Sequence, residues 1–261
     1  SKTKLIYTEH STYNRRRGNF FLKLSDQIIY KQYDEIVAIT PETKKNLLEH
    51  IKKKHNVSVI YNGVDLEKIK NEAKEELLLA FSKFSNGKKI ITQVAGFRES
   101  KDQDTVIKMI ALLPNNFHVV FVGDGERIEV CKKLTIELGV EEKVSFLGMQ
   151  KNIGAILNAS DIVVMSSHWE GFGRAAIEGM AMGKPVIGTN VPGLSDVLNN
   201  AGLLFRVGAV EALKKLILQL CNDEVFYNEI ANKCLKRADD FNINKMITSY
   251  ERVYSNLMKN E

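Results

Sequence analysis

Short apolar runs alternate with amphipathic stretches along the whole chain. Eight runs have the length and composition of buried strands: residues 5–7, 35–40, 57–61, 90–94, 118–122, 144–147, 161–165 and 185–189. Helical spacing of apolar positions predicts helices over residues 21–31, 210–221 and 244–257, and others that begin near residues 41, 105, 127, 153 and 174. Strands that alternate with helices favour a parallel sheet, so the pattern predicts an α/β fold.

The predicted elements form two segments joined by a polar, helical linker over residues 66–86. The second segment, residues 76–243, has enough strands and helices for a complete doubly wound Rossmann-like domain, with its ligand crevice at the carboxyl ends of the strands. The first segment, residues 1–75, is only half of the roughly 150 residues that such a domain needs, so we expect it to be partial. A last helix, within residues 244–261, is expected to pack back on the first segment.

The composition is that of an ordinary globular protein, with 44% hydrophobic and 26% charged residues. No apolar run approaches the roughly 20 residues of a membrane span, and the first residues lack the apolar core of a signal peptide. Cys131, Cys221 and Cys234 show no C-x-x-C spacing and are expected to be reduced thiols. These features predict a cytoplasmic protein.

The net charge of +5 is concentrated in the first third of the chain. Residues 1–86 hold 16 Lys or Arg against 11 Asp or Glu, whereas the remainder holds 21 of each. Basic runs at residues 15–17 and 52–54 contribute most of the excess. One interpretation is a solvated face. The other is attraction to an anionic membrane surface or a phosphate-bearing acceptor, at about 1 kcal/mol per basic residue near the lipid. Nucleic acid is not expected as a partner, because no nucleic-acid module is recognisable.

The most informative segment lies between the predicted strand 161–165 and the helix that follows. It contains Glu170, then the loop of Gly171, Phe172 and Gly173, and a second carboxylate, Glu178, inside the helix. Amides at a helix N-terminus attract phosphate, and glycine lets a ligand approach the backbone closely. Glu178 is placed to reach ribose hydroxyls, and Glu170 those of a sugar. The segment therefore predicts a site for a negatively charged, polyhydroxylated ligand.

Glu170 and Glu178, with Gly183, Lys184 and Pro185 after the helix, resemble the E-x7-E signature of the retaining glycosyltransferases of family 4, which belong to glycosyltransferase group 1. The resemblance implies the two-domain GT-B fold and covers nearly the whole chain. The first domain of that family opens with a strand and a glycine-rich loop that are missing here. The resemblance thus implies a chain truncated at its N-terminus.

The resemblance also implies cations that face the diphosphate of the donor. In the family, the loop after the first strand of the second domain carries an arginine and then a lysine. Lys101 matches the lysine, but the arginine position falls on Gly96, so Arg98 is the expected substitute. Such cations stabilise negative charge where it develops on a leaving group.

Further matches complete the expected site. Gly123 opens a Gly-Asp-Gly turn near the nucleotide, and Gly148 and Met149 follow a strand where family members contact the base. His10 ends the first strand, where the family often has a histidine that reaches the donor sugar. The expected catalytic residues are Glu170, Arg98, Lys101 and His10; the expected substrate-binding residues are Glu178, Gly171, Phe172, Gly173, Gly123, Gly148 and Met149.

The sequence thus predicts a retaining glycosyltransferase. We expect it to move a sugar from a nucleotide sugar, a UDP-sugar in particular, to a glycan or lipid-linked acceptor in cell-surface polysaccharide synthesis. We expect no cofactor and no metal ion. No Asp-x-Asp pair stands where a metal-dependent transferase would use one, and the family does not require a metal. The expected location is the cytoplasm, including the cytoplasmic face of the membrane.

Two other hypotheses remain open at this point. The chain is a catalytically incomplete fragment or subunit that binds the nucleotide sugar and needs a partner chain to complete the first domain. Alternatively, it is a sugar-nucleotide epimerase of the GT-B fold, which the E-x7-E arrangement disfavours. Turnover of the bound donor would distinguish a transferase from the incomplete fragment or subunit, which binds the donor without turning it over.

Overall fold

A computed structural model describes residues 3–10, 20–51, 56–74 and 87–259. The basic runs of the sequence and most of the predicted linker lie outside these ranges. The chain divides into two compact units. The small unit consists of Ser1–Gly63 and Phe241–Glu261, and the large unit consists of Val64–Asp240.

Each unit contains a parallel sheet. The strands are β1 Ile6–Glu9, β2 Glu35–Ala38, β3 Val57–Val59, β4 Lys89–Val94, β5 Phe117–Val122, β6 Val144–Phe146, β7 Ile162–Met165, β8 Val186–Thr189 and β9 Leu203–Phe205. The small unit has the order β1-β2-β3, and the large unit has the order β6-β5-β4-β7-β8-β9. Every pairing is parallel. The predicted α/β fold is confirmed.

Helices connect the strands in both units. The described helices are α1 Phe20–Ile29, α2 Pro41–Ile51, α3 Leu66–Glu72, α4 Gln103–Ala111, α5 Ile128–Glu137, α6 Ile153–Ala159, α7 Arg174–Ala181, α8 Leu194–Leu198, α9 Val210–Asn222, α10 Glu224–Ala238 and α11 Ile243–Lys259. Within the described ranges, no helix has the length and apolar character that crossing a membrane requires.

The eight predicted strands are all present, with ends that differ by a few residues. The strand predicted over residues 35–40 extends two residues beyond the end of β2. Thr40 instead caps the next helix, where its Oγ1 accepts the Thr43 N–H at 3.0 Å. Pro41 is the first helical residue, as predicted. The pattern does not predict β9 or α10. Strand β9 has only three residues, one of them exposed, and α10 is rich in polar residues.

The core of the large unit explains its near-continuous apolar strands. Strands β5, β7 and β8 are buried along their whole length, as parallel strands are when helices cover both faces of the sheet. Above β5 the rings of Phe97, Phe121 and Phe146 pack against one another, with centroids 5.5–5.9 Å apart. Phe97 belongs to a loop rather than a strand, so this cluster fixes the loop on the sheet.

Helix α1 of the small unit turns a polar residue inward and apolar residues outward. Asp26 is buried and lies 2.9 Å from Nε2 of buried His50 in α2. Leu24, Ile28 and Ile29 are 51%, 57% and 45% exposed. The helix thus buries a polar contact and exposes apolar side chains, contrary to the usual hydrophobic pattern.

The last helix, α11, belongs to the small unit. Its Tyr250 hydroxyl lies 3.1 Å from Thr8 Oγ1 in β1. Gly63 N–H donates to the sulfur of Met246 at 3.0 Å. An added Cβ at Gly63 would lie 2.6 Å from the Ile243 Cα, so the glycine permits the close approach of the helix.

Replacing Phe121 by Ala should destabilise the large unit strongly, because the side chain is 1% exposed at the centre of the aromatic cluster. We expect a loss of about 3–5 kcal/mol in the free energy of unfolding, measured by urea denaturation. The control is Val225→Ala at a position that is 79% exposed, for which the change should stay within about 0.5 kcal/mol. Equal effects of the two substitutions would contradict the assigned core.

Candidate functional site

Strands β4 and β7 are neighbours in the six-stranded sheet, and the chain order reverses between them. From β4 the chain proceeds to β5 and β6 on one side, and from β7 to β8 and β9 on the other. The loops after β4 and β7 therefore leave a crevice at the carboxyl ends of the strands. These loops, residues 95–102 and 166–173, carry most of the predicted site residues.

The two loops meet through an ion pair. Lys101 Nζ donates to Glu170 Oε2 at 2.5 Å, and the two side chains are 22% and 15% exposed. Ser167 Oγ also donates to Glu170 Oε2, at 3.3 Å. The structure thus brings together the predicted lysine and the first predicted carboxylate, from sequence positions 69 residues apart.

Arg98 lies on the same loop as Lys101, three residues before it. Its neighbour Phe97 is fully buried and its N–H donates to the Asp124 carbonyl at 2.9 Å. Arg98 itself is exposed. Among the described residues, no hydrogen bond or ion pair joins the Arg98 guanidinium to Glu170 or Glu178, so its predicted substitution for the family arginine stays a prediction.

The glycine loop after Glu170 leads directly into helix α7. Gly173, at φ 76°, occupies the left-handed region and precedes the first helical residue. An added Cβ at Gly171 would meet open space, so a ligand can approach the backbone there. Phe172, between them, is buried and fixes the loop. This is the geometry expected for anion binding at a helix N-terminus.

Gly193 packs closely against this loop, although the sequence pattern does not single it out. Its φ is 80°, and an added Cβ would lie 2.4 Å from the Glu170 carbonyl oxygen and 2.7 Å from that of Gly171. The segment after β8 therefore packs backbone to backbone against the glycine loop. Only glycine permits both the φ and the approach.

Glu178, on α7, is a buried carboxylate. Its side chain is 8% exposed, and the Arg174 Nε donates to its Oε1 at 2.8 Å. Burial raises the pKa of Glu178, whereas the charge and hydrogen bond of Arg174 oppose that rise. A second pair of charges acts from α3, where Glu72 raises the pKa and Lys68 lowers it.

Helix α3 is packed near this carboxylate, although the sequence predicts a linker there. Glu72 accepts the N–H of Gly154, the second residue of α6, at 3.1 Å. An added Cβ at Gly154 would lie 2.2 Å from the Ile69 carbonyl oxygen. Leu66 and Ile69 are buried, so this part of the predicted linker belongs to the large unit.

The loops after β5 and β6 lie side by side. Gly123 N–H donates to the Gly148 carbonyl at 2.9 Å. At φ 135°, Gly123 packs so closely that an added Cβ would lie 2.1 Å from the Ala95 carbonyl oxygen. Met149 is 76% exposed. Gly123 is therefore packed against the β4 loop, and its hydrogen bond joins it to Gly148.

Four further residues at or near the predicted positions have other surroundings. His10 follows β1 in the small unit and is exposed. His168, which the sequence analysis does not assign, places its Nε2 3.3 Å from Asp102 Oδ2. Trp169, the residue before Glu170, is 66% exposed. Arg174 is also missed by the sequence motif, although its position four residues before Glu178 is a helical pairing signal.

Within the described ranges, no three His, Cys, Asp or Glu side chains come together as a metal ion would require. The three cysteines are free. Burial raises the pKa of Cys131 to about 12 and that of Cys234 to about 11, so both thiols stay protonated at neutral pH and are poor nucleophiles.

Replacing Glu178 by Gln should stabilise the large unit at neutral pH. The raised folded-state pKa means that the ionised carboxylate favours the unfolded chain, where it is hydrated, and glutamine carries no such charge. Well below the ordinary pKa of a glutamate, both states bind the proton and the advantage disappears. We expect the Tm to rise by roughly 1–3 °C at neutral pH and not at acid pH, as measured by differential scanning calorimetry.

The control for this change is Glu129→Gln, at an exposed carboxylate paired with Lys132, which should leave the Tm unchanged. A wild-type protein that is more stable than the Glu178→Gln variant at neutral pH would show that Arg174 outweighs the desolvation of Glu178.

Two family models match the chain. The model described as Glycosyl transferases group 1 matches residues 74–240, and the model described as Glycosyltransferase Family 4 matches residues 1–68. The first match includes the E-x7-E segment and the Lys101 loop.

Curated relatives carry related names. The N-acetyl-alpha-D-glucosaminyl L-malate synthase of Bacillus anthracis is 26% identical over 236 residues, which are 88% of this chain and 62% of the relative. The UDP-Gal:alpha-D-GlcNAc-diphosphoundecaprenol alpha-1,3-galactosyltransferase of Escherichia coli is 28% identical over 221 residues, which are 78% of this chain and 55% of the relative. The chain thus spans less than two thirds of the length of these relatives.

The fold has solved counterparts. The crystal structure of HepE from Anabaena in complex with UDP matches with a TM-score of 0.88 at 20% identity, over 97% of this chain and 72% of that one. This likeness confirms the GT-B fold. Since the group 1 model matches well over half of the sequence, the protein belongs to the group 1 glycosyltransferases, as Glu170 and Glu178 predict.

Proposed function

We propose that the protein transfers a sugar from a nucleoside diphosphate sugar to a hydroxyl group of a glycan or lipid-linked acceptor, with retention of anomeric configuration. The observation that carries the proposal is the pairing of Lys101 with Glu170 at the mouth of the β4–β7 crevice. A cation and a carboxylate held together there suit a ligand that carries both phosphate charge and sugar hydroxyls.

The diphosphate of the donor would lie over the glycine loop. Amides at the start of α7 and the ammonium of Lys101 supply positive potential there, with Arg98 as a further cation. As the bond from the anomeric carbon to the phosphate oxygen breaks, negative charge grows on the diphosphate. Amides and cations that already point at that charge lower the activation barrier of the transfer, because they need not reorganise first.

The ribose and the sugar would each use one carboxylate. Glu178 accepts hydrogen bonds from the ribose hydroxyls, and its partner Arg174 favours the ionised form that does so. Glu170 orients the donor sugar. The sequence resemblance alone supports the assignment of His10 to the same sugar and of Gly123, Gly148 and Met149 to the base side of the donor.

The names and ligands of relatives supply the support for a UDP-sugar and a lipid-linked acceptor. HepE has been solved with UDP bound, and the relative from Escherichia coli is named for UDP-Gal and for a diphosphoundecaprenol acceptor. A retaining course is supported by the resemblance of Glu170 and Glu178 to the signature of the retaining family 4 enzymes. In that course the acceptor hydroxyl attacks the face that the diphosphate leaves, and the protein supplies position and electrostatics.

Titration calorimetry with UDP-, GDP- and ADP-sugars, without added metal, tests the donor site. We expect saturable binding of one nucleotide class, UDP in the first place. Glu178→Gln should weaken it roughly 10- to 100-fold, because hydrogen bonds to a charged acceptor are lost. Glu129→Gln, at an exposed carboxylate that is paired with Lys132 and is not among the predicted site residues, is the matched control and should bind normally.

Binding that survives Glu178→Gln unchanged would contradict the ribose assignment. Binding without transfer or hydrolysis of the donor would support the alternative hypothesis of a nucleotide-sugar-binding subunit. Where transfer occurs, the anomeric configuration of the product, read by nuclear magnetic resonance, decides between retention and inversion.

We further propose that α1 contacts the surface of an anionic membrane, which would bring the protein to a lipid-linked acceptor at the cytoplasmic face. The exposed Leu24, Ile28 and Ile29 support this, as does the positive charge of residues 1–86, which hold 16 basic against 11 acidic residues. Apolar side chains and basic residues together are the usual requirements for interfacial binding.

Sedimentation with vesicles of phosphatidylcholine and phosphatidylglycerol tests this contact. Changing Leu24, Ile28 and Ile29 to Ser should reduce the bound fraction about tenfold or more, since each apolar side chain contributes through the area it buries. The control changes three exposed apolar residues of the large unit, Val130, Ile136 and Leu138, to Ser. Equal losses in both variants would contradict the contact.

Self-association of the wild-type protein that the α1 changes abolish would instead assign the exposed face of α1 to a second copy of the chain.

A further inference from the structure

Strand β4 contains one buried side-chain amide, that of Gln93. Gln93 is 1% exposed and sits two residues before the loop that carries Lys101 begins. A buried amide is costly unless its hydrogen bonds are made. The partners of Gln93 therefore indicate why an amide occupies this position.

The amide reaches across to both loops of the crevice. Gln93 Nε2 donates to the Lys101 carbonyl at 3.0 Å and to Ser166 Oγ at 3.1 Å. Ser166, which is fully buried, places its Oγ 2.9 Å from the Lys101 carbonyl oxygen and 2.8 Å from that of Asp102. One amide and one hydroxyl thus hold two successive carbonyls of the β4 loop. We call Gln93 and Ser166 the crevice clasp.

Further contacts fix the same stretch of backbone. His168 N–H donates to the Ser100 carbonyl at 2.8 Å. Asp102 adopts a left-handed φ of 46°, which a residue without glycine's freedom keeps only where its surroundings determine it. Its side chain accepts the Thr105 N–H and caps α4. Lys101 therefore stands on a backbone that is held from both sides.

The clasp connects the two halves of the ion pair. Ser166 lies on the β7 loop, four residues before Glu170, and it binds the carbonyl of Lys101 itself. A shift of either loop would separate the ammonium from the carboxylate. We propose that Gln93 and Ser166 are positioning residues that hold Lys101 against Glu170 and so aim it at the diphosphate of the donor; the second half of this statement rests on the proposed function.

The same strand supplies a matched control. Thr92 Oγ1 lies 2.6 Å from Ser160 Oγ, and both residues are buried. Because successive side chains of a strand point to opposite faces, Thr92 and Gln93 lie on opposite faces of the sheet. Ser160 precedes β7, whereas Ser166 follows it. This second pair is equally buried and joins the same two parts of the chain, but at the opposite end of β7 from the crevice.

The primary measurement is the rate at which acetic anhydride acetylates Lys101, followed by mass spectrometry of peptides. An ammonium held against a carboxylate is shielded and reacts slowly. In Gln93→Met and in Ser166→Ala, the rate at Lys101 should rise roughly two- to fivefold. In Thr92→Val and Ser160→Ala it should stay at the wild-type value. Lys215, exposed on α9, serves as an internal reference in every sample.

Urea denaturation of all four variants shows whether the clasp and control pairs lose comparable stability. Ser166→Ala removes a single oxygen and remains informative if Gln93→Met does not fold. An equal acetylation rate in clasp and control variants would overturn the proposal, because the clasp would then be an ordinary buried polar pair.

Donor affinity provides the second measurement and separates the two proposals. UDP should bind roughly tenfold more weakly to the clasp variants than to the control variants, as expected when a charge-assisted contact is misplaced. If the wild-type protein binds no nucleotide, the proposed function fails and the acetylation rates still decide the role of the clasp. If wild-type protein binds UDP but the clasp variants match the controls in both measurements, the clasp proposal alone fails.

Discussion

The direction of the strands in the large unit determines where its chemistry lies. All six strands are parallel, so every loop at their carboxyl ends emerges at one edge of the sheet. The order reverses only between β4 and β7, and the loops that diverge there leave the crevice. Lys101 and Glu170 meet at this point. The packing of Phe97 on Phe121 and the approach of Gly193 to Glu170 then hold each loop in place.

Buried charge is the second feature that shapes the site. Glu178 is desolvated by the helix and by its neighbours, which costs stability whenever the carboxylate is ionised. Arg174 offsets part of that cost from the exposed side. A ligand that donates hydroxyl groups to the carboxylate would offset more. A polar group kept buried at a cost in stability is a common feature of binding sites.

Helix α1 of the small unit reverses the usual arrangement of buried apolar and exposed polar side chains. Its buried contact is polar, between Asp26 and His50, and three of its apolar side chains face outward. Hydrophobic pattern alone would rotate this helix the other way. The hydrogen bond offsets the cost of burying the Asp26 carboxylate, since a buried polar group without a partner is costly. The outward face is then available for a partner, for which we propose a lipid surface.

The sequence by itself determined the alternation of strands and helices, because apolar periodicity reports burial directly. It also located Glu170, Gly173 and Glu178, since a loop motif of fixed spacing is local. It missed β9 and α10, whose short or polar patterns resemble loops and surface. Contacts between distant positions were decided only by the tertiary structure: Lys101 with Glu170, Gln93 with Ser166, and Gly193 against Glu170. Strand order brings these residues together, and no local pattern encodes which loops will be neighbours.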